Sequence, residues 1–144
     1  MKKKLLLISL DAMIGKDIEI LKTLPTFSPI LEKASIVKSV ETVYPSMTYT
    51  AHASIVSGTY PQKHGVITNE VFTPLNNRAP WYELRSQNKA QILPELAKEN
   101  GYSVFVNSWP TFEGGLEASD CAIRTGPLPL YPAVSVALSS LHSP

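Results

Sequence analysis

The sequence predicts an α/β fold, and three observations predict it. A short apolar run, Leu5 to Leu10, opens the chain and stops at Asp11. Helix-type segments follow, with stop signals at Gly58 and Gly101. A second apolar run, Tyr102 to Val106, comes after the last of them. Strands alternating with helices argue a βαβ-type sheet. The 144 residues, 44% apolar and 17% charged, suffice for one globular domain of this class and exclude a disordered chain.

Each element has its own warrant. Leu5-Leu6-Leu7-Ile8-Ser9-Leu10 is nearly continuous in apolar side chains, as a strand covered on both faces would be. Asp17 to Leu24 reads as a short helix. Ser28-Pro29 reads as an N-cap followed by proline at the first helical position. Between Ser35 and Val43 the apolar Ile36, Val37, Val40 and Val43 mix with Lys38, Ser39 and Thr42, which predicts a strand. Pro45 to Thr48 turns into a helix that continues to Ser57 and stops at Gly58. Tyr60 to Asn69 is a polar loop, and 70–81 is irregular. Ala90 to Asn100 is a helix whose start Pro94 shifts to about Leu93, and Tyr102 to Val106 is a strand ending near Trp109-Pro110. Beyond about Gly114 the prolines at 127, 129, 132 and 144 interrupt any period, and no element is predicted.

Composition excludes several roles. A formal charge of +1 leaves no electrostatic footprint for nucleic acid or an anionic membrane. No stretch reaches the ~20 apolar residues of a membrane span. The opening Met1-Lys2-Lys3-Lys4 imitates a signal peptide, but its apolar run is short and no small-residue cleavage site follows. The single cysteine, Cys121, can form no internal disulfide and reads as a packing or surface residue. A cytoplasmic location is therefore expected. Dinucleotide fingerprints, phosphate loops, Gly-x-Ser-x-Gly elbows and Cys-x-x-Cys pairs are missing from the sequence.

Three segments carry chemistry. Asp11 ends the first apolar run, where a carboxylate can hold a cation, although an Asp there also serves as a loop cap. Pro45-Ser46-Met47-Thr48 brings a hydroxyl to a helix start, where orphan N–H groups and the helix dipole favour an alkoxide or a phosphoryl group. The same hydroxyl could simply cap the helix. The third segment, Ser57-Gly58-Thr59-Tyr60-Pro61-Gln62-Lys63-His64-Gly65-Val66, has turn formers and a histidine but no metal spacing. His64 reads as a loop-bracing hydrogen bonder and His52 as a partly buried helix residue.

In this order the segments resemble the opening of the type I phosphodiesterase / nucleotide pyrophosphatase family of the alkaline phosphatase superfamily. The resemblance runs from Leu7-Ile8-Ser9-Leu10-Asp11-Ala12 through Pro45-Ser46-Met47-Thr48 and Ser57 to Val66 with Asn69. It then takes in Trp81-Tyr82, the helix near Leu93 to Glu99, and Ser108-Trp109-Pro110. It implies an alkaline-phosphatase-like, mainly parallel sheet with helices on both faces, incomplete in this chain. It also implies that Thr48 is the nucleophile and a metal ligand, that Asp11 is a metal ligand, and that Asn69 is a candidate substrate-binding residue. Two divalent ions, zinc in the family, would clamp an in-line displacement at a small-molecule phosphodiester or nucleotide, with a covalent phosphothreonine between two steps.

Two departures accompany the resemblance. Ala51 stands where nucleotide pyrophosphatases often place an asparagine that donates to the phosphoryl oxygen, a contact worth ~3 kcal/mol where it is used. The family's remaining Asp and His ligands have no counterparts: His52, His64 and His142 are the only histidines, and none lies in a matching context. Residues 1–121 are expected to be the N-terminal part of a catalytic domain. Residues 122–144 are expected to be a non-matching tail, frameshifted or disordered, and the chain itself to be inactive. Two other readings stand beside this one: a non-catalytic α/β fragment or weak anion binder, and a phosphomonoesterase or phosphonate hydrolase of the same superfamily.

Overall fold

The computed structural model describes residues 4–75, 79–115, 122–123 and 136–139. Its first strand, β1, is Leu5–Leu7, shorter than the apolar run predicts. Leu5 and Leu6 stay exposed, and only Leu7 packs against the core. The expected double cover is absent among the described residues, and β1 lies at the edge of its sheet.

Helix α1 (Asp17–Leu21) starts where Asp17 accepts the Ile14 N–H at 2.8 Å. Helix α2 (Ser28–Leu31) follows with proline in its first turn. Phe27, not Ser28, takes the N-cap position, and the Ser28 hydroxyl instead reaches Glu32 at 3.3 Å. The strand expected over 35–43 does not form. Val37 and Val40 are 73% and 79% exposed, and this segment pairs with nothing among the described strands. Alternation marks a strand only where a neighbour takes up its N–H and C=O groups.

After a cis Tyr44–Pro45 peptide the chain enters α3 (Thr48–Ser57), as predicted. Gly58 ends α3 in the left-handed region (φ 63°), its N–H bonded to the Ser54 carbonyl at 2.8 Å. The loop expected over 60–69 contains a single helical turn, α4 (Pro61–His64), closed by Gly65 at φ 80°. Proline at the start and glycine at the end are the local signals for such a turn. Farther on, a 3-10 turn at Arg85–Gln87 is fixed by Arg85, whose guanidinium holds both Glu95 oxygens at 2.6 Å. Helix α5 (Leu93–Glu99) begins at the residue predicted, with Pro94 in its first turn, and β2 (Ser103–Asn107) follows.

Two further strands, β3 (Ala122–Ile123) and β4 (Val136–Ser139), arise where the sequence predicts no element. The remaining tail residues and Cys121 lie outside the described residues. The strand order is β1-β4-β2-β3. Strand β4 runs antiparallel to both β1 and β2, while β3 runs parallel to β2. Among the described strands the sheet is thus mixed, with β4 between β1 and β2. Because β4 opposes both neighbours, β1 and β2 point the same way, and their carboxyl ends lie on one side. Helix α5 packs on β2, and α3 on α5. Val56, Ile92, Val104, Val106, Trp109 and Phe112 form the core there. Each fully buried side chain of this kind contributes ~1.5–3 kcal/mol.

Candidate functional site

Thr48 is the first residue of α3, preceded by Met47 in an extended conformation. Its side chain is half-buried. The position puts Thr48 in the first turn of a ten-residue helix, whose leading N–H groups have no partner within the helix. One of those groups, Tyr49 N–H, is taken by the Asn69 Oδ1 at 3.0 Å. Asn69 therefore reaches the helix start from twenty residues away and stands next to Thr48. Its carbonyl oxygen is used on the helix.

Tyr49 makes an edge-to-face contact with Trp81, ring centroids 5.2 Å apart at 72°. Burial, then the nearby Glu83 and Glu113 carboxylates, push its phenol above the ordinary value, so it remains a neutral hydroxyl.

Asp11 lies on the exposed loop after β1. One carboxylate oxygen accepts the Ala12 N–H at 2.9 Å. Ala12 itself is left-handed (φ 59°), a conformation costing an ordinary residue ~1–2 kcal/mol. The carboxylate braces this turn, in keeping with the loop-capping reading, and its outward face is open to solvent.

His52 joins these parts. It is 6% exposed and sits one turn after Thr48. Its Nδ1 is 2.7 Å from the Thr48 carbonyl, and its Nε2 is 2.9 Å from the Ser9 Oγ. Trp109, just past the end of β2, stacks edge-to-face on the ring at 5.1 Å and donates its indole N–H to the His52 carbonyl at 3.4 Å. The carboxyl ends of β1 and β2 thus meet α3 at one histidine. Sequence reasoning placed His52 as a plain helix residue. Its i, i+4 spacing from Thr48 was the available signal; the Ser9 and Trp109 partners are distant in sequence and left none.

His64 behaves as expected. It is fully buried, its Nδ1 accepts the Val66 N–H at 3.1 Å, and its Nε2 lies 2.8 Å from the Ser54 hydroxyl. It braces α4 against α3, and burial holds its ring below the ordinary histidine pKa.

Among the described residues no three His, Cys, Asp or Glu side chains gather as a metal-holding group. An aspartate and a threonine do not fit a two-ion centre, which takes about three protein ligands for each ion.

A model of the type I phosphodiesterase / nucleotide pyrophosphatase family matches residues 5–124. Human ectonucleotide pyrophosphatase/phosphodiesterase family member 1 is 38% identical over 66 residues, 46% of this chain and 7% of that protein. Human family member 5 is 32% identical over 80 residues, 54% of this chain and 16% of that protein. The matches therefore span less than a fifth of these relatives' own lengths. No solved structure matches the chain.

Proposed function

The chain belongs to the type I phosphodiesterase / nucleotide pyrophosphatase family, and on that premise we propose that it carries the nucleophile arm of a phosphodiester- or nucleotide-pyrophosphate-hydrolysing centre. The single observation that carries this reading is Thr48 at the first position of α3 with Asn69 docked on the next N–H.

In the proposed reaction the Thr48 oxygen attacks phosphorus and the alcohol or nucleotide leaving group departs, giving a phosphothreonine that water then cleaves. The α3 N-terminus stabilises negative charge on the attacking oxygen and on the phosphoryl group. Asn69, its oxygen held by Tyr49 N–H, offers its amide as a donor to a phosphoryl oxygen and compensates for Ala51. Asp11 is proposed as a metal ligand of the complete family site, which uses two divalent ions, zinc in this proposal. The donor set present here does not complete that site, so no step is routed through the ions. The alkaline-phosphatase-like parallel sheet with helices on both faces is likewise proposed for the complete domain. The substrate is a small phosphodiester or nucleotide. A cytoplasmic location is proposed on the lone thiol, although the relatives are named ectonucleotide enzymes.

A second reading has its own observation. With Asp11 and Thr48 as the only candidate donors among the described residues, the 144-residue chain by itself is proposed to be a non-catalytic α/β fragment able at most to bind an anion weakly. The two readings separate in a longer chain that includes downstream family sequence. There Thr48→Ala should abolish hydrolysis of an aryl phosphodiester, a loss of at least ~10³-fold, with the melting transition unchanged. Asp11→Asn should lower activity and zinc content together. Turnover close to the parent's in Thr48→Ala would refute the nucleophile; unchanged zinc by elemental analysis in Asp11→Asn would leave Asp11 a loop cap.

A further inference from the structure

We infer that His52 is a positioning residue: held as its Nδ1–H tautomer between the Ser9 hydroxyl and the Thr48 carbonyl, it ties the end of β1 to the start of α3 and so fixes Thr48 relative to Asp11. Its catalytic meaning rests on the reading of Thr48 as the nucleophile; the tie itself does not.

The tautomer follows from the partners. The Thr48 carbonyl can only accept, so Nδ1, 2.7 Å away, carries the proton. In the neutral ring Nε2 is then an acceptor, and the Ser9 hydroxyl, 2.9 Å away, donates to it. A carbonyl has two lone pairs, so Thr48 can take the ring N–H and keep its place in the helix. The ring is buried and flanked by Trp109, which engages both the imidazole ring and the His52 carbonyl. Rotation of the ring would break two part-buried hydrogen bonds.

The consequence is geometric. Ser9 and Thr48, 39 positions apart in the chain, are bound to the two nitrogens of one ring. Asp11 is two residues beyond Ser9, and two residues of chain reach at most ~7 Å. Reacting groups need placement to ~0.5 Å, and a misplacement of ~1 Å costs ~10²-fold in rate. Among the described residues, neither Ser9 nor Asp11 makes another hydrogen bond to α3. His64 supplies a control of opposite sense within the same fold: its Nδ1 accepts the Val66 N–H, so its proton is on Nε2.

The test uses the 144-residue chain with ring-¹⁵N histidine and long-range ¹H–¹⁵N correlation, the three histidines being assigned by single substitution. His52 should show a protonated Nδ1 and a bare Nε2, and His64 the reverse. Ser9→Ala should move the His52 Nε2 resonance and, through the ring, the Thr48 carbonyl ¹³C resonance. Ser57→Ala, at the far end of α3, should move neither. In a double-variant cycle Ser9→Ala and His52→Phe should be non-additive, the second change adding little to the first. A His52 proton on Nε2, a Thr48 carbonyl indifferent to Ser9→Ala, or additive losses would overturn the proposal. Three averaged, solvent-like histidines would overturn it too, since they contradict the buried ring. No readout involves hydrolysis, so failure of the phosphodiesterase reading would show separately, in the Thr48→Ala assay.

Discussion

Residues 4–43 and residues 48–112 both carry many apolar side chains, but among the described residues the fully buried ones all lie in the second region. In the second region Val56, Ile92, Val104, Val106, Trp109 and Phe112 converge between α3, α5 and β2. In the first, Leu6, Ile14, Ile20, Ile30, Val37 and Val40 are all exposed. The difference is one of partners. Helix α5 has β2 to lie on, and β2 has a neighbour on each side; the segment over 35–43 has no strand beside it among the described residues. Apolar periodicity states what a segment could bury, and tertiary neighbours decide whether it does. The site inherits the asymmetry: Thr48 stands on the packed region, and Asp11 on the exposed one.

The contrast can be broken most forcefully in the packed region. Ile92 is 1% exposed, and Ile92→Ala should cost about 2–5 kcal/mol, read as a fall in the urea midpoint. A loss below about 1 kcal/mol would mean that this core is not the stabilising one.

A gentler effect comes from His64. Burial depresses its folded pKa below the unfolded value of about 6.5, so the unfolded chain binds the extra proton first. Its contribution to stability is complete above that unfolded value and is lost as pH falls through the folded one. Urea midpoints should therefore decline on acidification from about pH 7.5 to about pH 5.5, and decline less steeply in His64→Gln. Equal slopes would place the titrating group elsewhere. At the other extreme, Val40→Ser should change stability by no more than about 0.5 kcal/mol, because its side chain is 79% exposed. A larger loss would reveal a packing partner for the 35–43 segment.

How much was legible in the sequence follows the same division. The α3 stop at Gly58, the α5 start at Leu93 and the turn past β2 are set by local chemistry: a left-handed glycine, a first-turn proline, an apolar run ending before Trp109. Thr48 at a helix start was legible for the same reason. The absence of a strand over 35–43 and the presence of β4 were not, because pairing involves residues far apart. Leu6, for instance, pairs with Ala137, in a stretch whose prolines hid any period. The resemblance implied roles for Asp11, Thr48 and Asn69. The docking of Asn69 on Tyr49 N–H, and of His52 between Ser9 and Thr48, depended on hydrogen bonds that only the folded chain makes.

On the proposed reading of Thr48, the residues present supply the nucleophile arm of the family's centre and not the whole of it. The most direct measurement is to dialyse the purified 144-residue chain against micromolar zinc, determine retained metal, and assay the p-nitrophenyl ester of thymidine 5′-monophosphate. On that reading no retained zinc and no turnover are expected, since Asp11 and Thr48, the candidate donors among the described residues, fall short of about three protein ligands per ion. Zinc retained in stoichiometric amount, with metal-dependent turnover that Thr48→Ala removes, would contradict it and show that these residues build a complete site.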